Sequence, residues 1–214
     1  MTITLDAPAT LVTLTLSAES FAELASIAAL ATRDYARPSL TGVLFEVAGG
    51  SEEATVTVTA TDSYVLGRMT RTVGGDTSVN FKALVPATFL ANAVKFRRAA
   101  GSTKVMSDTI TLTFTLDTVT VTLEAGGSMT ERLITGTYPN TAILWGETGG
   151  EVASICLDPA KVAQIAKVFP WTNKGTGIAF TFTASTKGPG PAGKPLHASA
   201  QGTDVLLMPI RVQG

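Results

Sequence analysis

The chain has 214 residues, of which 45% are hydrophobic and 15% are charged. This composition indicates one or two globular domains with a real core and excludes a disordered chain. The formal net charge of -1 excludes nucleic-acid binding through overall basicity, so any such contact needs locally concentrated charge. A single cysteine, Cys156, excludes an intrachain disulfide. Without a signal-peptide pattern or a long apolar run, we expect a cytoplasmic protein with no membrane contact.

Three helical segments are predicted against a background of strands. The first covers about residues 17–31, with Ser17 as its N-cap, and the second covers about 86–99. The third covers about 158–169, with Asp158 as its N-cap and a proline after its last residue. Each segment spaces its apolar residues so that one helix face is buried.

Strict alternation of apolar and threonine residues predicts strands between these helices. The pattern occurs at residues 55–59, 110–114 and 119–123, and it continues at 178–182. Such alternation is typical of strands with one buried face and one solvated face.

The order of a strand, a helix and about three strands recurs three times, over residues 9–78, 79–147 and 150–214. We call these segments units one, two and three. They predict an α+β fold of repeated β-α-β-β-β units. Residues 1–147 would form a full domain of two units, and residues 148–214 would form half a domain of one unit.

Five segments in chain order carry a resemblance to a known family. The segment RPSLTGVLFE at residues 37–46 resembles the strand after the first helix of a middle-domain repeat in bacterial DNA polymerase sliding clamps. The others are ATDSYVL at 60–66, VPA at 85–87, LITGTYPN at 133–140 and LLMPIRV at 206–212. The chain therefore resembles the clamp that is the beta subunit of bacterial DNA polymerase III.

The sequence departs from this family in two respects. Ser63, Tyr64 and Val65 stand where the family's turn has a glycine and a basic residue. Bacterial clamps also have three full domains, whereas this sequence shows one full domain and one half, and the family's first domain has no counterpart here. These departures affect the details of partner binding.

The resemblance implies a DNA-clamp fold, with helices lining a ring and sheets outside. It implies a non-enzymatic processivity factor, without cofactor or metal, that encircles double-stranded DNA and tethers a DNA polymerase and a clamp loader through a hydrophobic peptide-binding cleft. A ring of twelve units would need four copies of three units, or three copies if a fourth, degenerate unit is present. We expect exposed edge strands in units one and three to join the copies. A shortened clamp would suit a bacteriophage.

Basic residues cluster on the predicted helices, which line the hole in clamps. No acidic residue lies between Pro86 and Lys104, and none follows Asp158 in the third helical region. Such cations contact phosphates without reading sequence, although the same pattern also suits a solvated helix face. The predicted DNA-binding residues are Arg33, Lys95, Arg97, Arg98, Lys161, Lys167 and Lys174.

By resemblance, the C-terminal MPIR segment forms one wall of the partner cleft, and the turn after Ala60 lies opposite. Apolar and adaptable side chains of this kind accept a short linear peptide, although Leu206 is equally well explained as a core residue. The predicted cleft residues are Leu40, Thr61, Ser63, Tyr64, Leu66, Leu144, Trp145, Leu206, Met208, Pro209, Ile210 and Arg211.

Enzymatic interpretations have less support. The segment at residues 188–194 matches a P-loop by letters, but Pro195 follows where serine or threonine is needed. The only histidine, His197, and Cys156 do not form a metal-ligand cluster. Two other classes remain: a β-rich phage structural or assembly protein, and a processivity factor that does not encircle DNA.

Overall fold

The computed structural model describes residues 12–49, 52–76, 80–99, 109–146, 157–169, 178–181, 195–200 and 202–209. Units one and two repeat the same order of strand, helix and three strands. Unit one contains β1 (Val12–Ser17), α1 (Ala18–Ser26), β2 (Gly42–Gly49), β3 (Glu53–Thr61) and β4 (Val65–Asp76). Unit two contains β5 (Phe81–Pro86), α2 (Ala87–Ala99), β6 (Thr109–Phe114), β7 (Thr118–Leu123) and β8 (Ser128–Arg132).

Unit three contributes one helix and three strands to the described residues. These elements are α3 (Pro159–Ala166), β9 (Ala179–Thr181), β10 (Leu196–Ala200) and β11 (Thr203–Leu207). The strand predicted at residues 178–182 is therefore present in shorter form, and residue 182 lies outside the described residues. Cys156, in the strand expected to open this unit, and the P-loop-like segment at 188–194 also lie outside them.

The predicted helix starts are confirmed by their caps. The Ser17 hydroxyl accepts a hydrogen bond from the backbone N–H of Ser20 at 3.1 Å. The Asp158 carboxylate accepts one from the backbone N–H of Ala160 at 2.8 Å, and Pro159 occupies the first turn. In both cases the side chain satisfies a donor that the helix itself leaves unpaired. The first helix continues as a 3₁₀ helix at Ile27–Leu30.

The two complete units exchange their first strands. Strand β1 pairs with β6 of unit two, and β5 pairs with β2 of unit one, both antiparallel. Strand β4 pairs with β3 along one side. On its other side its first residues pair with β11 and its last residues pair with β1. All eleven strands therefore belong to one hydrogen-bonded network.

This topology corrects one expectation about the sheet edges. We expected an exposed edge strand in unit one, but each strand of that unit has a neighbour on both sides. In the described part of the chain, β8 of unit two pairs only with β7, and β9 of unit three pairs only with β10. The prediction was wrong because β11 covers the edge that β4 would otherwise expose.

The core lies between the strands and the helices. Phe45, Phe81 and Phe114 pack in its centre, with ring centroids 5.7 Å apart for Phe45 and Phe114 and 5.4 Å apart for Phe81 and Phe114. Helix α1 contacts α2, and α3 packs against β11 and the 3₁₀ helix of unit one. The helices thus share one face, while threonine ladders such as Thr57–Thr70, with hydroxyls 3.1 Å apart, lie on the strands.

Gly67 in β4 provides a test of this packing. A Cβ atom there would lie 2.2 Å from Leu30 Cδ1 and 2.9 Å from Ile27 Cδ1, and both of those side chains are fully buried. We expect Gly67→Ala to lower the free energy of unfolding by about 1–3 kcal/mol through overpacking. Denaturant unfolding measures this change.

Gly74→Ala in the same strand is the matched control, because its Cβ would meet Thr15 O at an ordinary 3.5 Å. Equal losses at the two positions would contradict the close approach of the 3₁₀ helix to β4.

Candidate functional site

The helix face carries a groove between α1 and α2 with cations along it. The groove is lined mainly by small residues of the two helices and of the 3₁₀ helix, such as Ala25, Ala91 and Ala29. Arg33, Lys95 and Lys167 line the same groove, although they come from three separate elements. Among the described lining residues none is acidic. The fold therefore brings three of the predicted DNA-binding cations to one groove, whose described lining residues include no carboxylate.

The structure adds Tyr35 to this groove, which sequence reasoning did not find. Its side chain is 80% exposed and lies in the loop that follows the 3₁₀ helix. Asp34 beside it is not among the lining residues, and its carboxylate pairs with Arg37 at 3.3 Å. An exposed tyrosine between arginine and lysine side chains offers an apolar body and a hydrogen-bonding tip. No local pattern marks this loop residue.

The remaining predicted cations are distributed differently. Arg97 is half-buried on α2. The side chain of Arg98, and Lys174 as a whole, lie outside the described residues. Lys161 does not line the groove, because its ammonium group pairs with the carboxylate of Asp62 in unit one. The ion pair of Lys161 and Asp62 joins α3 to the turn that was predicted to line the partner cleft.

That turn joins β3 to β4 and is held by a set of local hydrogen bonds. Asp62 Oδ1 accepts from the backbone N–H groups of Tyr64 and Val65, each at 2.9 Å. The Thr61 hydroxyl donates to Val65 O at 2.7 Å and accepts from Ser63 N at 3.0 Å. These bonds hold Ser63 at a φ of 82°, a left-handed conformation that side-chain-bearing residues rarely adopt. The backbone of this turn is therefore held in one conformation by side-chain hydrogen bonds.

Strand β11 brings the C-terminal segment next to this turn. Leu206 lies directly opposite Leu66 in the sheet, and Met208 N donates to Tyr64 O at 2.9 Å. Tyr64 and Met208 are 60% and 42% exposed. Leu66 and Leu206 are buried but do not belong to the main core cluster. Two buried leucines therefore lie next to two exposed apolar side chains on the β4–β11 pair, and we expect these four residues to form the floor and the rim of the predicted cleft.

Of the other predicted cleft residues, the structure describes four. Leu40 is buried outside the main core, Leu144 is 36% exposed, and Pro209 is half-buried. Trp145 packs over the junction, with the Arg68 guanidinium 4.4 Å from its ring centroid and the His197 ring 6.3 Å away. Ile210 and Arg211 lie outside the described residues.

The last part of unit two, which follows β8, lies near this region and supplies two residues that we did not predict. Burial raises the pKa of the Tyr138 phenol above its usual range, and the Thr61 backbone beside it opposes this shift in part. Ile143, next to the predicted Leu144, is 69% exposed. Tyr138 lies in the LITGTYPN motif, so the sequence signal was available, whereas Ile143 had none.

The described residues contain no group of three or more histidine, cysteine, aspartate or glutamate side chains that could hold a metal ion. Their helices also include none that is long and apolar enough to cross a membrane. What the arrangement offers instead is two candidate surfaces, a cationic groove on the helix side and a group of apolar residues at the junction of units one and three.

Comparison with solved structures shows that the chain has the fold of a DNA polymerase sliding clamp. The Bacillus subtilis sliding clamp is 14% identical, with a TM-score of 0.69 over 100% of this chain and 67% of that one. A Pseudomonas aeruginosa sliding clamp bound to griselimycin is 12% identical, with a TM-score of 0.75 over 99% of this chain and 68% of that one. The Thermotoga maritima beta subunit is 13% identical, with a TM-score of 0.68 over 100% of this chain and 68% of that one.

The family is shown by sequence. Residues 15–140, more than half of the chain, match the family model for the central domain of the DNA polymerase III beta subunit. The chain therefore belongs to the DNA polymerase III beta subunit family, and its function is of the clamp type. It spans about two thirds of the length of the clamps that it resembles. No curated protein matches it in sequence.

Asp62 is the residue on which the turn depends most. Its side chain is only 9% exposed, it accepts two backbone N–H bonds, and it pairs with Lys161. Because hydrogen bonds to a buried charge are strong, we expect Asp62→Ala to lower the free energy of unfolding by about 3 kcal/mol. Denaturant unfolding measures this loss.

Asp34→Ala is the comparison, since Asp34 also accepts a backbone bond and pairs with an arginine but is 48% exposed. We expect a loss below about 1 kcal/mol there. A similar loss at both positions would show that Asp62 does not hold the turn.

Proposed function

We propose that the protein is a DNA sliding clamp that encircles duplex DNA, with the helix face inward, and tethers a DNA polymerase through the apolar cleft. The observation that carries the proposal is the groove between α1 and α2, which Arg33, Lys95 and Lys167 line and whose described lining residues include no acidic side chain. Cations placed in this way bind the phosphate backbone regardless of sequence, which a ring that slides requires.

The assembly that we propose is a ring of twelve units. Four copies of the three units in this sequence supply that number, and three copies would need a fourth unit in each chain. The protein would then act without catalysis as a processivity factor, and a clamp loader would use the same cleft as the polymerase. Its place of action would be the cytoplasm, within an infected host if a bacteriophage encodes it.

Encirclement is tested on a duplex with one end on a bead. The protein is allowed to thread onto the open end, and streptavidin then closes that end through biotin. A ring is expected to survive a high-salt wash on the closed duplex and to be lost from the open one, because topology resists salt whereas phosphate contacts do not. Equal loss from both would favour a processivity factor that does not encircle DNA.

A pair of lysine variants tests the inward face on short linear duplexes. Lys95 is exposed in the groove, whereas Lys82 is exposed elsewhere and pairs with Glu46 at 2.6 Å. We expect Lys95→Ala to weaken binding and to reduce the slope of log affinity against log salt by about 1, as loss of one phosphate contact does. Lys82→Ala should leave the slope unchanged, and the reverse pattern would place DNA elsewhere.

The cleft is tested through its exposed rim. We expect Met208→Ala to weaken binding of the replicative polymerase about tenfold, as truncation of an apolar side chain that becomes buried on binding does. Surface-immobilised polymerase and product lengths in primer extension both report this effect. Leu116→Ala is the matched control, because Leu116 is 77% exposed in the turn between β6 and β7. Equal losses from both variants would argue against the cleft.

A further inference from the structure

The outer face of the β4–β11 pair carries an ion pair next to the expected cleft floor. Arg68 lies directly opposite Asp204, two residues along each strand from the facing pair of Leu66 and Leu206. Because alternate residues of a strand point to the same side, these four side chains share the face opposite to Gly67 and the helices. The guanidinium of Arg68 lies 3.6 Å from the Asp204 carboxylate. A charged pair therefore ends the row of apolar side chains.

Trp145 and His197 complete a closed set of contacts around this ion pair. The Arg68 guanidinium lies 4.4 Å from the centroid of the Trp145 ring, within the range of a cation–π contact. His197 Nε2 lies 2.9 Å from Asp204 Oδ1, and the His197 ring meets the Trp145 ring edge-on, with centroids 6.3 Å apart. We call these four residues the Trp145 cluster. Each member contacts two others, and together they connect β4, β10, β11 and the segment after β8.

The segment after β8 enters the cluster through a short helix. Trp145 belongs to the 3₁₀ helix Ala142–Gly146, which we call the Trp145 helix. Its residues Ala142, Ile143 and Leu144 are exposed, whereas Trp145 is half-buried. A short 3₁₀ helix has weak internal hydrogen bonds, so its position depends on what its half-buried residue contacts. For this helix those contacts are the ones within the cluster.

We propose that Arg68 is a positioning residue for the partner cleft. With the other polar members of its cluster it holds Trp145, and through Trp145 it fixes Ile143 and Leu144 as the end wall of the cleft. This inference rests on the proposed function, because it assigns a role within the cleft that binds the polymerase. A planar guanidinium suits the role, since it stacks on an indole and pairs with a carboxylate at the same time. A wall that is held before binding costs less to order when a partner arrives.

The fluorescence of Trp145 tests the positioning without any partner. Trp171→Phe leaves Trp145 as the only tryptophan of the chain. In that background Arg68→Met removes the charge but keeps an unbranched apolar side chain. We expect it to shift the emission to longer wavelength and to increase quenching by acrylamide, because the indole becomes more exposed to water. Arg68→Lys keeps the charge without the planar group, so its shift should be smaller. Unchanged emission in both variants would overturn the proposal.

Arg71→Met is the matched control. Arg71 lies on the same strand and pairs with Glu23 of α1 at 3.1 Å, so it carries a comparable ion pair on the opposite face. We expect this variant to lower the unfolding temperature and to leave the emission of Trp145 unchanged. Thermal unfolding also checks that every variant is folded at the temperature of the measurement. An equal spectral shift from Arg71→Met and Arg68→Met would show a general loosening of the sheet and would overturn the specific role of Arg68.

A double-mutant cycle shows whether this positioning serves the cleft. Binding is measured to the surface-immobilised replicative polymerase. We expect Trp145→Ala to weaken binding about tenfold and Arg68→Met about fivefold, and Arg71→Met to leave it unchanged. Because Arg68 acts through Trp145, the double variant should bind about as weakly as Trp145→Ala alone, as is usual for residues in contact. Losses that multiply would overturn the proposal, because Arg68 would then act independently of Trp145.

The outcomes separate this inference from the proposed function. Changed emission together with losses that do not multiply supports the positioning role. If Met208→Ala weakens polymerase binding but Arg68→Met does not, the cleft stands and the role of Arg68 is overturned. If the wild type does not bind the polymerase, the proposed function of the cleft is overturned, and the role of Arg68 in it is overturned as well.

Discussion

The structure depends on the backbone hydrogen bonds of a single long strand. Strand β4 has 12 residues and pairs with β3 on one side and with β11 and β1 on the other. Because β1 also pairs with β6, this strand connects all three units through main-chain contacts. Such contacts fix register more firmly than side-chain packing alone, since a slip of one residue would reverse every buried face.

The same strand separates the two candidate surfaces. Alternate residues of β4 point to opposite faces, so Gly67 meets the 3₁₀ helix while Arg68 reaches Trp145 on the other side. The cationic groove therefore lies with the helices, and the predicted cleft would lie where β4 meets β11. A net charge of -1 is compatible with such a cationic surface, because no carboxylate is among the described residues that line the groove.

Sequence patterns within a few residues predicted the helices and strands whose formation depends on short-range interactions. Alternation and capping residues identified the helices at Ser17 and Asp158 and the strands β3, β6 and β7, since both signals act within a few residues. Pairing between distant elements was not predictable in this way. The covered edge of β4 and the pairing of Lys161 with Asp62, which lies 99 residues earlier, both depend on how unit three docks.

Ser63 shows how the chain accommodates a departure from the family's usual glycine. A left-handed conformation costs a residue with a Cβ about 1–2 kcal/mol, and Ser63 has a φ of 82°. Its backbone N–H is held by Thr61, and its hydroxyl accepts a hydrogen bond from the Arg37 guanidinium at 2.8 Å. A glycine would adopt this turn without strain but could not receive that bond. The serine therefore connects the loop before β2 to this turn, and it adds one side-chain bond to those of Asp62 and Thr61, which a glycine would also keep.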